Sequence, residues 1–504
     1  MANKIDSNET GLAFAEEQTL KTLPGTPVWY PLEPNSYKDF GGQIATVARN
    51  PINPSRQRKK GVTTDLDASG GFMQDLTSGN STRLMQGFFF ADAREKASTE
   101  KLAAAKIPIT SVDAATDQYR AATGLAGFPA GSIVLASGFS NTANNGIKYV
   151  VTSAAGAITV GDGLAIEASP PAAAKVETVG FRFAIGTMSI ALNGNMVRLA
   201  SSGTDLTTLG IIPGEWVFVG GDGAGAAFAN NRGFARASVI TATYIEFDKT
   251  DWEGVVEAGT SITLSIFTGL VIRNENNPAL IKRRTYNVER TLGNDGNGIM
   301  SEYLVGAVPN ELMVNMPQAE KVTMDMSFVA LDNEQRNGTT GPKAGTRVVL
   351  APEDAYNTSN DFSRIKLASI SATDSSPAPL FAFATELSLS LNNNVTPNKA
   401  VAVLGAFDTS SGTFEVGGKL TAYFADIAAV QAVRNNADIT LDIIMVKNNK
   451  GLLFDIPLLS LGDGRLNVEQ DKPIMVPLEN MAAESKFGHT LLFQSFAYLP
   501  VLAG

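Results

Sequence analysis

Few residue groupings in this chain have the types and spacing to do chemistry, and each is incomplete. Asp65 and Asp67 flank Leu66 and could form an acid or metal-binding pair, but no second acidic cluster lies in register with them, so they read as surface carboxylates. Gly220-Gly221-Asp222-Gly223-Ala224-Gly225 has the glycine density of a phosphate loop, yet lacks the strand-to-helix setting and Lys-Ser/Thr ending that such a loop uses. The Gly-Asp-Gly runs at 161–163 and 462–464 have the composition of turns. His489 is the single histidine, and with no cysteine in the chain there is no basis for a histidine relay, a thiolate ligand, a disulfide or a cysteine nucleophile. His489 itself reads as a structural residue near a final strand. Trp216 and Trp252 could form a sugar platform, although a core role suits them better. The run Arg56-Gln57-Arg58-Lys59-Lys60 is basic enough to touch phosphate; isolated as it is, Arg56, Arg58, Lys59 and Lys60 are expected at a subunit or ring contact instead. The expectation is a chain with no catalytic residues, no metal and no cofactor.

Composition points the same way. At 504 residues the chain can hold several domains, each with its own core, and its 44% apolar and 18% charged content is that of a globular protein rich in short strands and turns. No apolar run reaches the roughly 20 residues of a membrane helix, and Met1 to Asp6 lacks a secretory pattern, so neither a membrane nor a secretory leader is expected. A net charge of −10 is opposite to what phosphate gripping requires, so contact with DNA should be weak or repulsive.

The elements that would position these groups are mostly strands. Period-two alternation marks 310–316, 321–328 and 385–391, and further strands are expected at 66–76, 400–404, 439–446 and 491–498. Helical segments are expected at 81–90, with Asn80 as N-cap candidate, and at 424–434, where Ile427, Val430 and Val433 share a face. The two ends resemble one another. Asn50-Pro51-Ile52-Asn53-Pro54, a loop, an extended stretch through Asp67-Ala68-Ser69-Gly70-Gly71-Phe72 and a helical segment recur as Asn393-Asn394-Val395-Thr396-Pro397, a loop, Asp408-Thr409-Ser410-Ser411-Gly412 and a helical segment.

A shorter repeat lies between them. Pro129-Ala130-Gly131, a Val/Ile run and Asn144-Asn145-Gly146 are echoed by Pro213-Gly214-Glu215, an apolar run and Asn230-Asn231-Arg232-Gly233, with Asn and Gly expected at positive-φ turns. The resulting division is an N-terminal arm over 1–25, a first β-domain over 26–109 and 269–331, an inserted region over 110–268 made of two small β-barrel or sandwich units (about 115–180 and 195–268), a linker or long loop over 332–378, and a second β-domain over 379–504.

Arg56 to Val62 followed by Thr64-Asp65-Leu66-Asp67-Ala68-Ser69-Gly70-Gly71-Phe72, together with Tyr303-Leu304-Val305-Gly306-Ala307-Val308-Pro309-Asn310-Glu311-Leu312, resembles the major tail tube proteins of long-tailed, siphovirus-type bacteriophages over roughly 30–100 and 270–504. The resemblance implies two tube-type β-sandwich domains, each with a flanking α-helix. Copies would form trimeric rings with a pseudo-sixfold inner wall, stacked head to tail in the virion tail. It also implies tape-measure, terminator and tail-tip proteins as partners, and transient, sequence-independent passage of double-stranded DNA. The inserted units would then be an outward decoration that can be removed. The competing expectation is a virion-attached or secreted glycan-binding β protein using Trp216 or Trp252. A polysaccharide-degrading enzyme would need a convergent carboxylate pair, which is missing.

Overall fold

The computed structural model describes residues 4–52, 54–161 and 163–504, so Met1–Asn3, Asn53 of the Asn-Pro-Ile-Asn-Pro run and Asp162 of the first Gly-Asp-Gly lie outside the described residues. The protein is mainly β, with two α-helices among those residues.

The first part supplies β1 (Thr10–Glu16), β2 (Pro34–Arg49), β3 (Lys59–Asp75), α1 (Thr82–Phe88), β4 (Tyr286–Asn294), β5 (Ile299–Pro317), β6 (Thr323–Ala330) and β7 (Asp332–Arg336). The last part supplies β8 (Phe362–Ser369), β9 (Ala384–Asn392), β10 (Glu415–Tyr423), α2 (Ala428–Arg434), β11 (Ile439–Lys447), β12 (Lys450–Asp463), β13 (Met475–Ala482) and β14 (Leu492–Phe496). Pairing is antiparallel throughout these elements, and the order is the same in each set. In the first, β2-β3-β6-β5 form one layer and β1-β4-β5-β7 the other. In the last, β9-β10-β13-β12 and β8-β11-β12-β14 do likewise. The long strands β5 and β12 belong to both layers, the N-terminal half to one and the C-terminal half to the other. The two four-stranded layers fuse through β5 and β9, from Glu311 opposite Asn392 to Pro317 opposite Glu386, into one eight-stranded sheet.

Alternation explains which face is buried. Phe72, Leu312, Val314, Met324, Met326, Leu387 and Leu389 point from that sheet into a continuous core shared with Phe14, Val288, Ile443 and Phe454 of the second layer and with Leu84, Met85 and Phe88 of α1. Each helix ends alike. Ala91 N–H donates to Gln86 O at 3.1 Å and Ala437 N–H to Ala432 O at 3.0 Å, with Phe90 (φ +49°) and Asn436 (φ +45°) in the left-handed position before them.

Residues 89–285 leave the first part after α1. Strands between Ile109 and Phe267 form a 13-stranded antiparallel sheet with two separate cores, one from Ile109 to Val176 and the other from Phe181 to Ile266, while Leu270–Arg273 pairs with β14. The repeated Asn has a use that turn chemistry did not suggest. Glu167 accepts from Ser140 N–H (3.0 Å), Asn141 N–H (3.3 Å) and the Asn144 amide (2.8 Å), while Glu257 accepts from Ala229 N–H (2.7 Å), Asn230 N–H (3.3 Å) and the Asn231 amide (2.8 Å). Asn144 thus corresponds to Asn231, and both are wholly buried. The positive φ belongs to Gly146 and Gly233.

Several local expectations change. Residues 10–16, expected in a polar arm, form β1, whose Leu12, Phe14 and Ala15 are buried. Residues 332–378, expected as a linker or long loop, contain β7 and β8. The run 400–404 is no strand: it is the turn between Thr396–Lys399 and Ala406–Ser410, with Val401 fully exposed and Ala402 at φ +69°. Ser81, not Asn80, is the N-cap of α1, and it makes no side-chain cap; the Asn80 amide donates to Glu33 instead. On α2 the buried residues are Ala429 and Ala432, with Ile427 exposed.

Candidate functional site

Two features of the eight-stranded sheet stand out as sites for assembly. Its ends are open: among the described residues β2 pairs with β3 alone, and Ser460–Asp463 of β12 pair with β13 alone. Unpaired N–H and C=O groups along such edges are templates for another strand. Its outer face, away from the core, carries Glu311, Asp325, Glu386, Glu415 and Glu479 against Lys38 and Lys419. Asp65 and Asp67, read as surface carboxylates, lie on this face too, with Lys399 Nζ at 2.5 Å and 3.7 Å. The Lys399 hydrogen bond holds the Asp65 carboxyl below its usual range.

Beyond Gly42 the hairpin of β2 and β3 leaves the sheet. From Gln43 to Thr64 the described residues are exposed on both faces, apart from half-buried Gly61; Ile44, Val47, Ile52 and Val62 are bare apolar side chains. Arg56, Arg58, Lys59 and Lys60 sit at its tip, exposed and in no ion pair among the described residues. An isolated two-stranded ribbon is marginal in water, and this arm has little of its own chain to cover its apolar side chains. The exposed apolar residues at 44, 47 and 62 were the signal that sequence inspection passed over.

The remaining candidates are structural. Trp216 is wholly buried and Trp252 is 8% exposed, so neither offers a sugar platform. Asp222 of the glycine-rich loop accepts from Val501 and Leu502 N–H, tying down the C-terminal turn. The described residues hold no group of carboxylates and histidine arranged for a metal.

His489 is buried between the insertion and the last part of the chain. Arg273 Nη1 lies 3.3 Å from its Nδ1 and Gly214 (φ +90°) packs on its ring. Burial, with Arg273 and Arg236 nearby, pushes the imidazole down to about 3. A folded pKa below the ordinary 6.5 means the unfolded chain takes up the proton first, so this contribution to stability is whole above about pH 6.5 and declines as pH falls toward 3. Relative to His489→Gln, the native protein should lose about 2 kcal/mol between pH 7 and 5. Urea unfolding at both pH values measures it. Parallel pH dependence in the two proteins would show that the imidazole is already solvated.

The insertion is joined to the last part of the chain by a buried ionic group. Arg236 meets Asp248 at 2.9 Å and Asp455 at 3.0 Å, Lys249 meets Asp442 at 3.2 Å, and Arg364 also bonds Asp442. Burial works against the Asp442 charge, but Lys249 and Arg364 outweigh it and hold the carboxyl below its usual range. Around this group Trp216, Phe218, Phe234 and Phe267 pack on Ile444, Leu453, Leu492 and Phe496. This is not the attachment of a removable decoration.

A comparison with curated proteins gave no match. The family described as phage tail tube protein, whose members form a structural part of the tail, matches residues 7–482. With that match spanning nearly the whole chain, the protein belongs to the phage tail tube protein family.

Proposed function

We propose that this chain is a structural subunit of a tail tube built from two tube domains in one polypeptide, and that copies close into trimeric rings with a pseudo-sixfold inner wall. The observation that carries this reading is the joint between β5 and β9. The row Gly71–Ser327–Glu311 of the first set corresponds to Gly417–Met481–Ser460 of the second, so Glu311 and Ser460 occupy like places. Within the chain Glu311 is paired with Asn392 of β9; Ser460 faces an open edge, ready for β2 of the next copy. Lys38 and Ser390 are also equivalent, opposite Gly71 and Gly417, and the extra residue at the Asp39 bulge (φ +48°) then brings Gly41 to the place of Asn392. Each closed edge adds backbone hydrogen bonds of about 1 kcal/mol net apiece.

Three copies supply eight strands each. At about 4.8 Å per strand and about 40° tilt, the wall has a circumference near 150 Å and a channel about 40 Å across after side chains are allowed for. The acidic outer face of the sheet would line it, letting DNA pass without adhesion during genome delivery into the host cell. Rings would stack head to tail, since only a heterologous contact propagates into a filament, and tape-measure, terminator and tail-tip proteins would meet the tube in the virion. The glycan-binding alternative loses its support with both tryptophans buried. Cryo-EM of concentrated purified protein should show tubes with three chains per ring. Six chains per ring would overturn the duplication reading.

A further inference from the structure

The residues between β9 and β10 lie across the first part of their own chain, whereas Ile44, Val47 and Val62 of the β2–β3 hairpin are exposed. In the former, Val395 is 6% exposed and packs with Phe90 and Val308, its N–H donates to Asn310 Oδ1 at 2.8 Å, and Arg283 bonds Asp408 at 3.0 Å. The matching helix ends and the Gly71 and Gly417 rows make Leu66 and Gly412 equivalent. Ile44 is opposite Leu66, and continuing the register from Asn392 opposite Glu415 puts Val395 opposite Gly412, so Ile44 corresponds to Val395. Yet Ile44 is 50% exposed.

We propose that the arm 43–64 docks on the last part of an adjacent copy in the same ring, with Ile44 taking beside Asn436 and Pro457 the place that Val395 takes beside Phe90 and Val308. This rests on the ring reading above. The occupant is a second copy because the contact already exists inside the chain, made by the equivalent segment on the equivalent surface. Charge supports the same partner. Tyr286, opposite Ala307, corresponds to Leu441, opposite Ile456, so Arg283 has Asp438 as its counterpart, exposed and in no ion pair among the described residues. The counterpart of Asp408 is Val62, and past the adjoining bulge Lys59, opposite Arg49, lies on the side of Val47 and Val62. The intrachain contact therefore sets an acidic hairpin residue on a basic site, and the interchain one a basic arm residue on an acidic site.

The chain contains no cysteine, so an engineered pair reports cleanly. Oxidised assemblies of the Ile44→Cys, Asn436→Cys protein should give interchain disulfides in a ladder that ends at three chains on a non-reducing gel. The Val395→Cys, Phe90→Cys protein is the control and should close within one chain. Absence of interchain bonds in rings whose control pair closes would overturn the docking, and so would a ladder beyond three chains, which would send the arm to another ring. A wild-type protein that forms no rings by microscopy would remove the ring reading itself, a result distinct from either.

Discussion

Replacing Arg236 by Met should destabilise the folded chain by about 3–5 kcal/mol, the cost of leaving buried carboxylates without their cation. Arg236 is 2% exposed and bonds both Asp248, on the insertion, and Asp455, on β12, so its loss strands charge on each side of the contact. Lys486 still reaches Asp248 at 3.0 Å, which leaves Asp455 as the worse affected. Converting the group together, Arg236→Met with Asp248→Leu and Asp455→Leu, should recover most of the loss, because an apolar cluster of similar volume has no charge to desolvate. Urea unfolding followed by tryptophan fluorescence reads both proteins. A loss under about 1 kcal/mol in the single variant would mean that water reaches the group, as at a surface ion pair.

The same contact governs what happens when the insertion is removed. Bridging 109 to 269 would leave Asp442, Asp455 and the apolar side chains of Ile444, Leu453, Leu492 and Phe496 facing solvent in place of Arg236, Lys249, Trp216 and Phe234. The neighbouring backbone at 94 and 271 is already paired, with Arg94 N–H donating to Val271 O at 2.7 Å, so chain closure itself is no obstacle. The difficulty is the uncovered face. An exposed patch of this kind favours aggregation, and loss of soluble protein is the expected result. Soluble deletion protein that still assembles would restore the reading of the insertion as a removable decoration.

Much of the β framework could be read from alternation. Runs such as 321–328 and 385–391 bury one face only, and period two is the direct imprint of that. The strand 450–463 escaped because Gly451 to Pro457 is buried on both faces, so apolar residues follow one another without a period. The run 400–404 misled for the opposite reason: its composition is that of a strand, but the tight turn it makes leaves Val401 in solvent. The exposed basic tip of the hairpin was legible as charge. The open edges were not, since an unpaired strand has the same residues as a paired one. The ionic group was hidden because its members come from segments far apart in sequence. A lone carboxylate inside an apolar strand, Asp442 among Ile439, Leu441, Ile443 and Ile444, was the available sign, since such a group must find a buried partner.

Reversing charge on the outer face of the eight-stranded sheet should turn a non-adhesive tube into a DNA-retaining one. Glu311, Glu386 and Glu415 are exposed on that face, away from the core, so Lys at these positions should alter folding stability by no more than about 0.5 kcal/mol each. Every copy would carry them, and a duplex threading the ring would meet lysines where carboxylates had stood. Binding through roughly 6–10 phosphate contacts weakens by about 10³–10⁵ between roughly 50 and 200 mM salt, so variant tubes should hold duplex DNA at the lower concentration and release it at the higher. Wild-type tubes should hold none at either, because the face is acidic and the chain carries a net charge of −10. Sedimentation of tubes with labelled linear duplex measures both. Variant tubes that ignore DNA at low salt would show that this face does not line the channel. Wild-type tubes that bind it in a salt-dependent way would instead place the contact on the arm, where Arg49, Arg56, Arg58, Lys59 and Lys60 are exposed.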